Sequence, residues 1–302
     1  MEEALGWLDR AGTSAPFCLL VAFQAPHERI ASDPKYVRPY ARRPHKPGED
    51  LYYANVTEMD AEFGRLLAYL DRRGLRENTL VVFTSDNGPE TLGRHPDAWR
   101  SHGSAGPLRS RKLSLYEGGC RVPGVLRWPG RIRAGAVSSE PVSSVDLLPT
   151  FCELAGVPPP GRRLDGASLA PLFAGRPVRR QTPLHWHYYN AQDGPVAALR
   201  EGDWKVLGIP ARPCPRPPGG FIGPEDLDYI FGTQLAGFEL YNLAADPGEK
   251  LNMAQSEPER LRRMADDLVR LRREVLAEAP RWDLRSTGPR AAVTERERQM
   301  WR

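Results

Sequence analysis

Two apolar runs, PFCLLVAFQ at 16–24 and TLVVFTS at 79–85, bracket a stretch in which Tyr52, Val56, Met59, Phe63, Leu66 and Leu70 recur at alternating steps of four and three, with Leu67 widening the face. That spacing predicts a long amphipathic helix over 49–73, since residues three and four apart share one face of an α-helix. Gly74 follows it, where a left-handed C-terminal cap is expected. The flanking runs have the length of strands buried on both faces. Strand, helix and strand of this size form a βαβ unit, in which the two strands are expected to be parallel. Parallel strands joined by a crossover helix end on one edge of the sheet, and ligands bind at that edge. His27 lies just past the first run, and Asp86 and Asn87 lie just past the second.

Downstream, SHGSAGPLRSRKLSLYEGGC at 101–120 is loop-rich and basic, with Arg109, Arg111 and Lys112 and a glycine pair at Gly118 and Gly119. VPGVLRW at 122–128 is strand-like, and SSVDLLPTFCELAG at 143–156 predicts a helix opened by a serine cap and closed by Gly156. From about residue 183 the texture changes to short segments bounded by turn residues, TPLHWHYYN, AALREGDWKVLG and FELYNLAAD, which predict a small antiparallel sheet. A last helix is expected over 257–278, with Leu261, Met264, Leu268, Leu271 and Val275 on one face. A subdomain boundary falls near residue 180.

Charge and cysteine usage narrow the function classes. The net charge is +4, but the arginines are dispersed and interrupted by acids, which favours a small anionic substrate weakly and nucleic acid hardly at all. Cys18, Cys120, Cys152 and Cys214 form no CxxC pair, so neither a zinc site nor a disulfide framework is signalled. The first residues, MEEALGWLDRAG, are acidic and helical and lack the pattern of an export signal, and no segment approaches the roughly 20 apolar residues of a membrane span. Thirty prolines, about double the usual share, predict many rigid loops, above all at 209–220.

An acid and an amide side by side at a strand end offer two hard oxygen ligands, which suit Ca²⁺ or Mg²⁺, although Asp-Asn-Gly is also an ordinary turn sequence. Singly, His27 and Lys112 read as a solvated imidazole and a surface charge. Gathered on one rim, a cation site, an imidazole and an ammonium form a place for a tetrahedral oxyanion. His102 could line the same pocket or simply be solvated; His185 and His187 alternate in a strand and read as strand packing. Asn55-Val56-Thr57 spells a glycosylation sequon but falls within the amphipathic helix, which marks it as accidental.

AFQAPH at 22–27, FTSDNGPE at 83–90, GPLRSRKLSLYEGGCRVPGVLRWPGRI at 106–132, VDLLPTFCELAG at 145–156, LDGASLAPLF at 164–173 and ELYNLAADPGEKLNMA at 239–254 together resemble the sulfatase family of the alkaline-phosphatase-like superfamily, in its arylsulfatase and galactosamine-6-sulfatase-like branch. The resemblance implies a three-layer α/β sandwich with a mostly parallel sheet, incomplete on its N-terminal side, followed by a small antiparallel sheet with a helix. Residues 1–180 would be the C-terminal part of the catalytic domain and 181–302 a C-terminal subdomain. It further implies hydrolysis of sulfate monoesters of small molecules or carbohydrates. Asp86 and Asn87 would be calcium ligands, His27 the group that protonates the leaving oxygen, and Lys112 the group that holds sulfate oxygens. The family's nucleophile is a formylglycine made from the first residue of CxPxR or SxPxR. None of the four cysteines opens a CxPxR and no serine is expected to open an SxPxR, so that segment and the first pair of aspartate ligands are expected upstream of the matching blocks, and the 302 residues by themselves are expected to be inactive. The family is mostly exported. Two other readings stay open: a non-catalytic remnant serving as a binding module, and a phosphoesterase of the same superfamily.

Overall fold

The computed structural model describes residues 1–12, 15–42, 46–92, 98–217, 220 and 223–280. Pro218 and Gly219 of the proline-rich stretch fall outside them. The chain divides into two compact units, one of Met1–Lys112 with Tyr116–Thr182, the other of Leu113–Leu115 with the chain from Pro183 onward.

The first unit opens with helix α1 (Glu2–Ala11), followed by the single turn α2 (Pro34–Val37) and the 24-residue helix α3 (Glu49–Arg72). Gly74 adopts the expected left-handed conformation, φ 69°, and ends the helical stretch. Leu8 of α1 is buried with Tyr69 and Leu70 of α3, and Leu5, Phe17, Leu19, Leu66, Leu75 and Val81 pack around them. The apolar face read from the spacing is thus the face that meets the first apolar run and the second. Phe63 of α3 also packs on Phe83, with ring centroids 5.0 Å apart. Asn55 is buried on α3 and its amide nitrogen donates to the Ala31 carbonyl at 2.7 Å.

The strand pairing departs from expectation. Strand β1 (Val81–Thr84) pairs antiparallel with β2 (Gly124–Arg127), in register Val81 to Arg127, while residues 16–24 join no ladder among the described residues. Between them in the chain lies the short helix α4 (Glu117–Cys120). Apolar runs specify burial, and Phe17, Leu19 and Val81 do share a core; which backbone groups face each other is a separate matter, and consecutive strands are neighbours only about two-thirds of the time. The unit closes with α5 (Leu147–Ala155) and α6 (Ala170–Phe173). Ser143 and Asp146 form a capping box ahead of α5, and Gly156 at φ 66° ends it, as the sequence predicts.

The second unit is the anticipated antiparallel sheet, β3 (Leu184–His187), β4 (Ala197–Glu201), β5 (Trp204–Pro210) and β6 (Leu235–Asn242), in that spatial order, with the short helix α7 (Leu227–Gly232) before the last strand. β4 and β5 are joined by the two-residue turn Gly202-Asp203, where Gly202 takes φ 57°. Helix α8 (Pro258–Glu278) lays Met264, Leu268 and Leu271 on Ala197, Leu199, Val206 and Leu240 of the sheet. Among the described residues no helix is long and apolar enough to cross a membrane.

Candidate active site

The rim after β1 is built by close backbone approach. Gly88 donates its N–H to the Gly119 carbonyl at 2.9 Å, and a Cβ on Gly88 would lie 1.8 Å from the Gly118 carbonyl oxygen. Gly118 is equally confined, 2.2 Å and 2.4 Å from the Ser110 and Arg109 carbonyl oxygens by the same measure. No side chain fits at either position. The glycine behind the Asp-Asn pair therefore serves to bring the β1 rim against the basic loop.

That loop is fastened to the rim on both sides of Lys112. The Lys112 N–H donates to the Pro89 carbonyl at 2.9 Å, and the Thr91 hydroxyl donates to the Lys112 carbonyl at 2.6 Å. Arg111 donates to the carbonyls of Glu90 and Gly103, each at 2.8 Å. Ser110 and Leu113 flank the pair in left-handed backbone, φ 67° and 71°, a conformation that costs a residue with a side chain on the order of 1–3 kcal/mol and gathers at functional sites. Lys112 is thereby held with its ammonium 3.2 Å from the Glu90 carboxylate, and the two side chains are 17% and 7% exposed.

His27 reaches the same place from the end of the first apolar run. Its Nδ1 lies 2.9 Å from the Glu28 carbonyl oxygen and 3.3 Å from the Glu28 carboxylate. A ring nitrogen of His27 and one carboxylate oxygen each from Glu28 and Glu90 all lie within 4.8 Å of one another. The Ser101 hydroxyl donates to Glu28 Oε1 at 2.9 Å, and the Thr91 N–H donates to Glu90 Oε1 at 2.8 Å. Imidazole and ammonium thus meet across two buried carboxylates.

Asp86 and Asn87 stand on the same loop, four and three residues ahead of Glu90. Asn87 Nδ2 donates to Asp86 Oδ1 at 3.0 Å and to the Gly88 carbonyl at 3.2 Å, and Asp86 is exposed. Their oxygens are hard donors of the kind Ca²⁺ or Mg²⁺ takes, and they number fewer than the roughly six to eight that Ca²⁺ coordinates. Among the described residues neither makes a hydrogen bond or ion pair to His27 or Lys112. His102 is held elsewhere: its Nε2 lies 3.1 Å from the Pro47 carbonyl and its ring stands edge-on to Tyr52. His185 and His187, in the second unit, face each other at 3.1 Å.

Sequence reasoning missed Glu28 and Glu90, the groups that connect the imidazole to the ammonium. Their signal was adjacency, one residue past His27 and one past the Asp-Asn-Gly-Pro turn. The serine form of the nucleophile motif also needs correcting, because Ser256-Glu257-Pro258-Glu259-Arg260 spells SxPxR. In the structure those letters are the opening of α8. Pro258 is its first residue, the Ser256 hydroxyl bonds the Met253 carbonyl at 3.2 Å, and Arg260 pairs with Glu257 and covers the Trp204 ring.

The family model described as Sulfatase matches residues 1–157, and that described as N-sulphoglucosamine sulphohydrolase, C-terminal, matches residues 110–207. Steryl-sulfatase of Mus musculus is 33% identical over 290 residues, covering 92% of this chain and 45% of the relative. Arylsulfatase A of Homo sapiens is 36% identical over 214 residues, covering 69% of this chain and 40% of the relative. The crystal structure of Ps i-CgsB in complex with k-i-k-neocarrahexaose superposes with a TM-score of 0.67 at 25% identity, covering 93% of this chain and 59% of that one. The chain thus spans less than half the length of these two curated relatives. Its fold is α/β and alkaline-phosphatase-like, and the chain belongs to the sulfatase family.

Proposed function

We propose that this chain carries the leaving-group and anion-holding side of a sulfatase active site, and that the protein acts as a sulfuric ester hydrolase on sulfated small molecules or carbohydrates. The observation that carries the reading is the meeting of His27 and Lys112 across Glu28 and Glu90, on a rim whose sequence blocks lie within the sulfatase match. A carbohydrate substrate is favoured by the similarity to Ps i-CgsB, which holds a neocarrahexaose.

Lys112 places a full positive charge where ester oxygens would gather, and an anion arriving there competes with Glu90 for the ammonium. His27 is more than half exposed and anchored at Nδ1 by Glu28, so Nε2 can hold the proton that a departing alkoxide or phenoxide needs. Glu28 and Glu90 bring two carboxylates beside His27 and the Lys112 ammonium, and a divalent cation would offset that negative charge as an anionic ester arrives. Asp86 and Asn87 would supply two oxygens to a Ca²⁺, or less favourably a Mg²⁺, which would stabilise charge on the sulfuryl oxygens. Formylglycine, the family's nucleophile, would supply the hydroxyl for attack on sulfur. We assign it to a segment outside residues 1–302, since no CxPxR is present and the SxPxR letters are taken up in opening α8. Residues 1–180 would be the C-terminal part of the catalytic portion and 181–302 a C-terminal subdomain, a reading supported by the change of unit at Pro183.

The test follows a chromogenic aryl sulfate on the purified 302-residue chain with Ca²⁺ present. Retention of the ester without release of sulfate is the expected result. Hydrolysis that disappears in His27→Ala would overturn the assignment of the nucleophile, and failure to retain the ester would overturn the ester site itself.

A further inference from the structure

We propose that His27, Glu28 and Glu90 form a binding site for a divalent transition ion of the Zn²⁺ class, separate from the oxygen pair at Asp86 and Asn87. One ligand atom from each of the three lies within 4.8 Å of the others, and the short edge, His27 Nδ1 to Glu28 Oε2, is 3.3 Å. Around a tetrahedral Zn²⁺ with bonds of roughly 2.0–2.2 Å, ligand atoms sit about 3.3–3.6 Å apart. Closing the cluster therefore asks ligand atoms to approach by at most about 1.5 Å.

The donor set selects the ion. Ca²⁺ and Mg²⁺ take oxygen ligands, whereas an imidazole nitrogen with two carboxylates suits zinc. Each carboxylate is already oriented by a neighbour on its other oxygen, Glu28 Oε1 by the Ser101 hydroxyl and Glu90 Oε1 by the Thr91 N–H. That is the arrangement by which outer groups aim metal ligands. The two carboxylate side chains are only 8% and 7% exposed, so an ion held by them would be largely shielded from water. His27, 55% exposed, leaves an entry path and a fourth position open to water. The Nδ1 that shares a proton with the Glu28 carbonyl is freed when the proton resides on Nε2, the other neutral tautomer.

Lys112 is the built-in competitor. Its ammonium occupies Glu90 Oε2 at 3.2 Å, so an incoming ion must displace it. This gives the proposal a sign: removing the ammonium should tighten zinc, and removing a carboxylate should loosen it.

The experiment is calorimetric titration of zinc chloride into the purified chain, with saturating Ca²⁺ present to fill any all-oxygen site and thermal melts to establish that each variant folds. One Zn²⁺ per chain is expected. Glu28→Gln and Glu90→Gln should each weaken it by more than the roughly 10–100-fold that loss of an outer partner costs, Ser101→Ala should weaken it within that range, and Lys112→Met should tighten it several-fold. Absence of zinc binding, or an affinity that Glu28→Gln and Glu90→Gln leave unchanged, overturns the site. Should both glutamine variants fail to fold, Lys112→Met decides: a tighter ion supports the site and an unchanged one overturns it. Zinc binding and retention of an aryl sulfate are separate readouts, so either can fail while the other stands.

Discussion

Asp146→Ala is expected to lower the unfolding free energy by about 3–5 kcal/mol, the range found when one partner of a buried ion pair is removed. Asp146 is fully buried at the start of α5, and its two oxygens accept four hydrogen bonds. Oδ1 takes Arg180 Nη1 at 2.6 Å and the Ala167 N–H at 2.9 Å, while Oδ2 takes Arg180 Nη2 at 2.7 Å and the Ser143 N–H at 2.7 Å. One carboxylate thus joins three separated stretches of the first unit. Without it, the Arg180 guanidinium, 13% exposed, keeps only the Pro141 carbonyl among these contacts, and two backbone donors lose their acceptor. Asp146→Asn should cost less, since the amide preserves the shape but not the charge. In urea, where such a unit loses about 1–3 kcal/mol per molar, the alanine variant's midpoint should fall by at least about 1 M. A shift near zero would show that the pair contributes shape alone.

A second large loss is expected at Lys205. Its ammonium lies 3.1 Å from Glu249, and both side chains are fully buried in the second unit. Lys205→Met leaves a buried carboxylate without its counter-charge and should cost about 3–5 kcal/mol. The sharper test is the double variant Lys205→Met with Glu249→Leu. Taking the second charge away as well removes the desolvation cost that the first variant exposes, so the double variant should recover most of the loss. If the two losses simply add, the pair is not acting as a pair, and the stability of the β5 region has another source.

Much of the fold was legible because periodicity and caps are local. The steps of three and four over 49–73, the serine and Gly156 around α5, and the turn-bounded segments after 183 each correspond to an element of the structure. The pairing of β1 was not legible. Its partner, Gly124–Arg127, lies some forty residues further on, and an apolar run carries no record of which backbone will meet it. The site was legible in part for a related reason. His27 and Lys112 stood out by type and by the family blocks around them, whereas Glu28 and Glu90 look like ordinary charges beside turns. Only tertiary placement buries their side chains beside His27 and Lys112. Ser256 shows the converse, a motif whose letters match while its surroundings make it a helix opening.

The central claim is that the rim around Lys112 holds a sulfate ester. Its most direct test is equilibrium binding of a non-hydrolysed aryl sulfate to the wild-type chain and to Lys112→Met, with and without Ca²⁺. Loss of one charge-assisted contact, about 1.5–3 kcal/mol, predicts affinity reduced by roughly 10-fold or more in the variant, with Ca²⁺ strengthening binding in the wild type. Equal affinity in the two proteins, unaffected by Ca²⁺, would place the ester elsewhere and contradict the account.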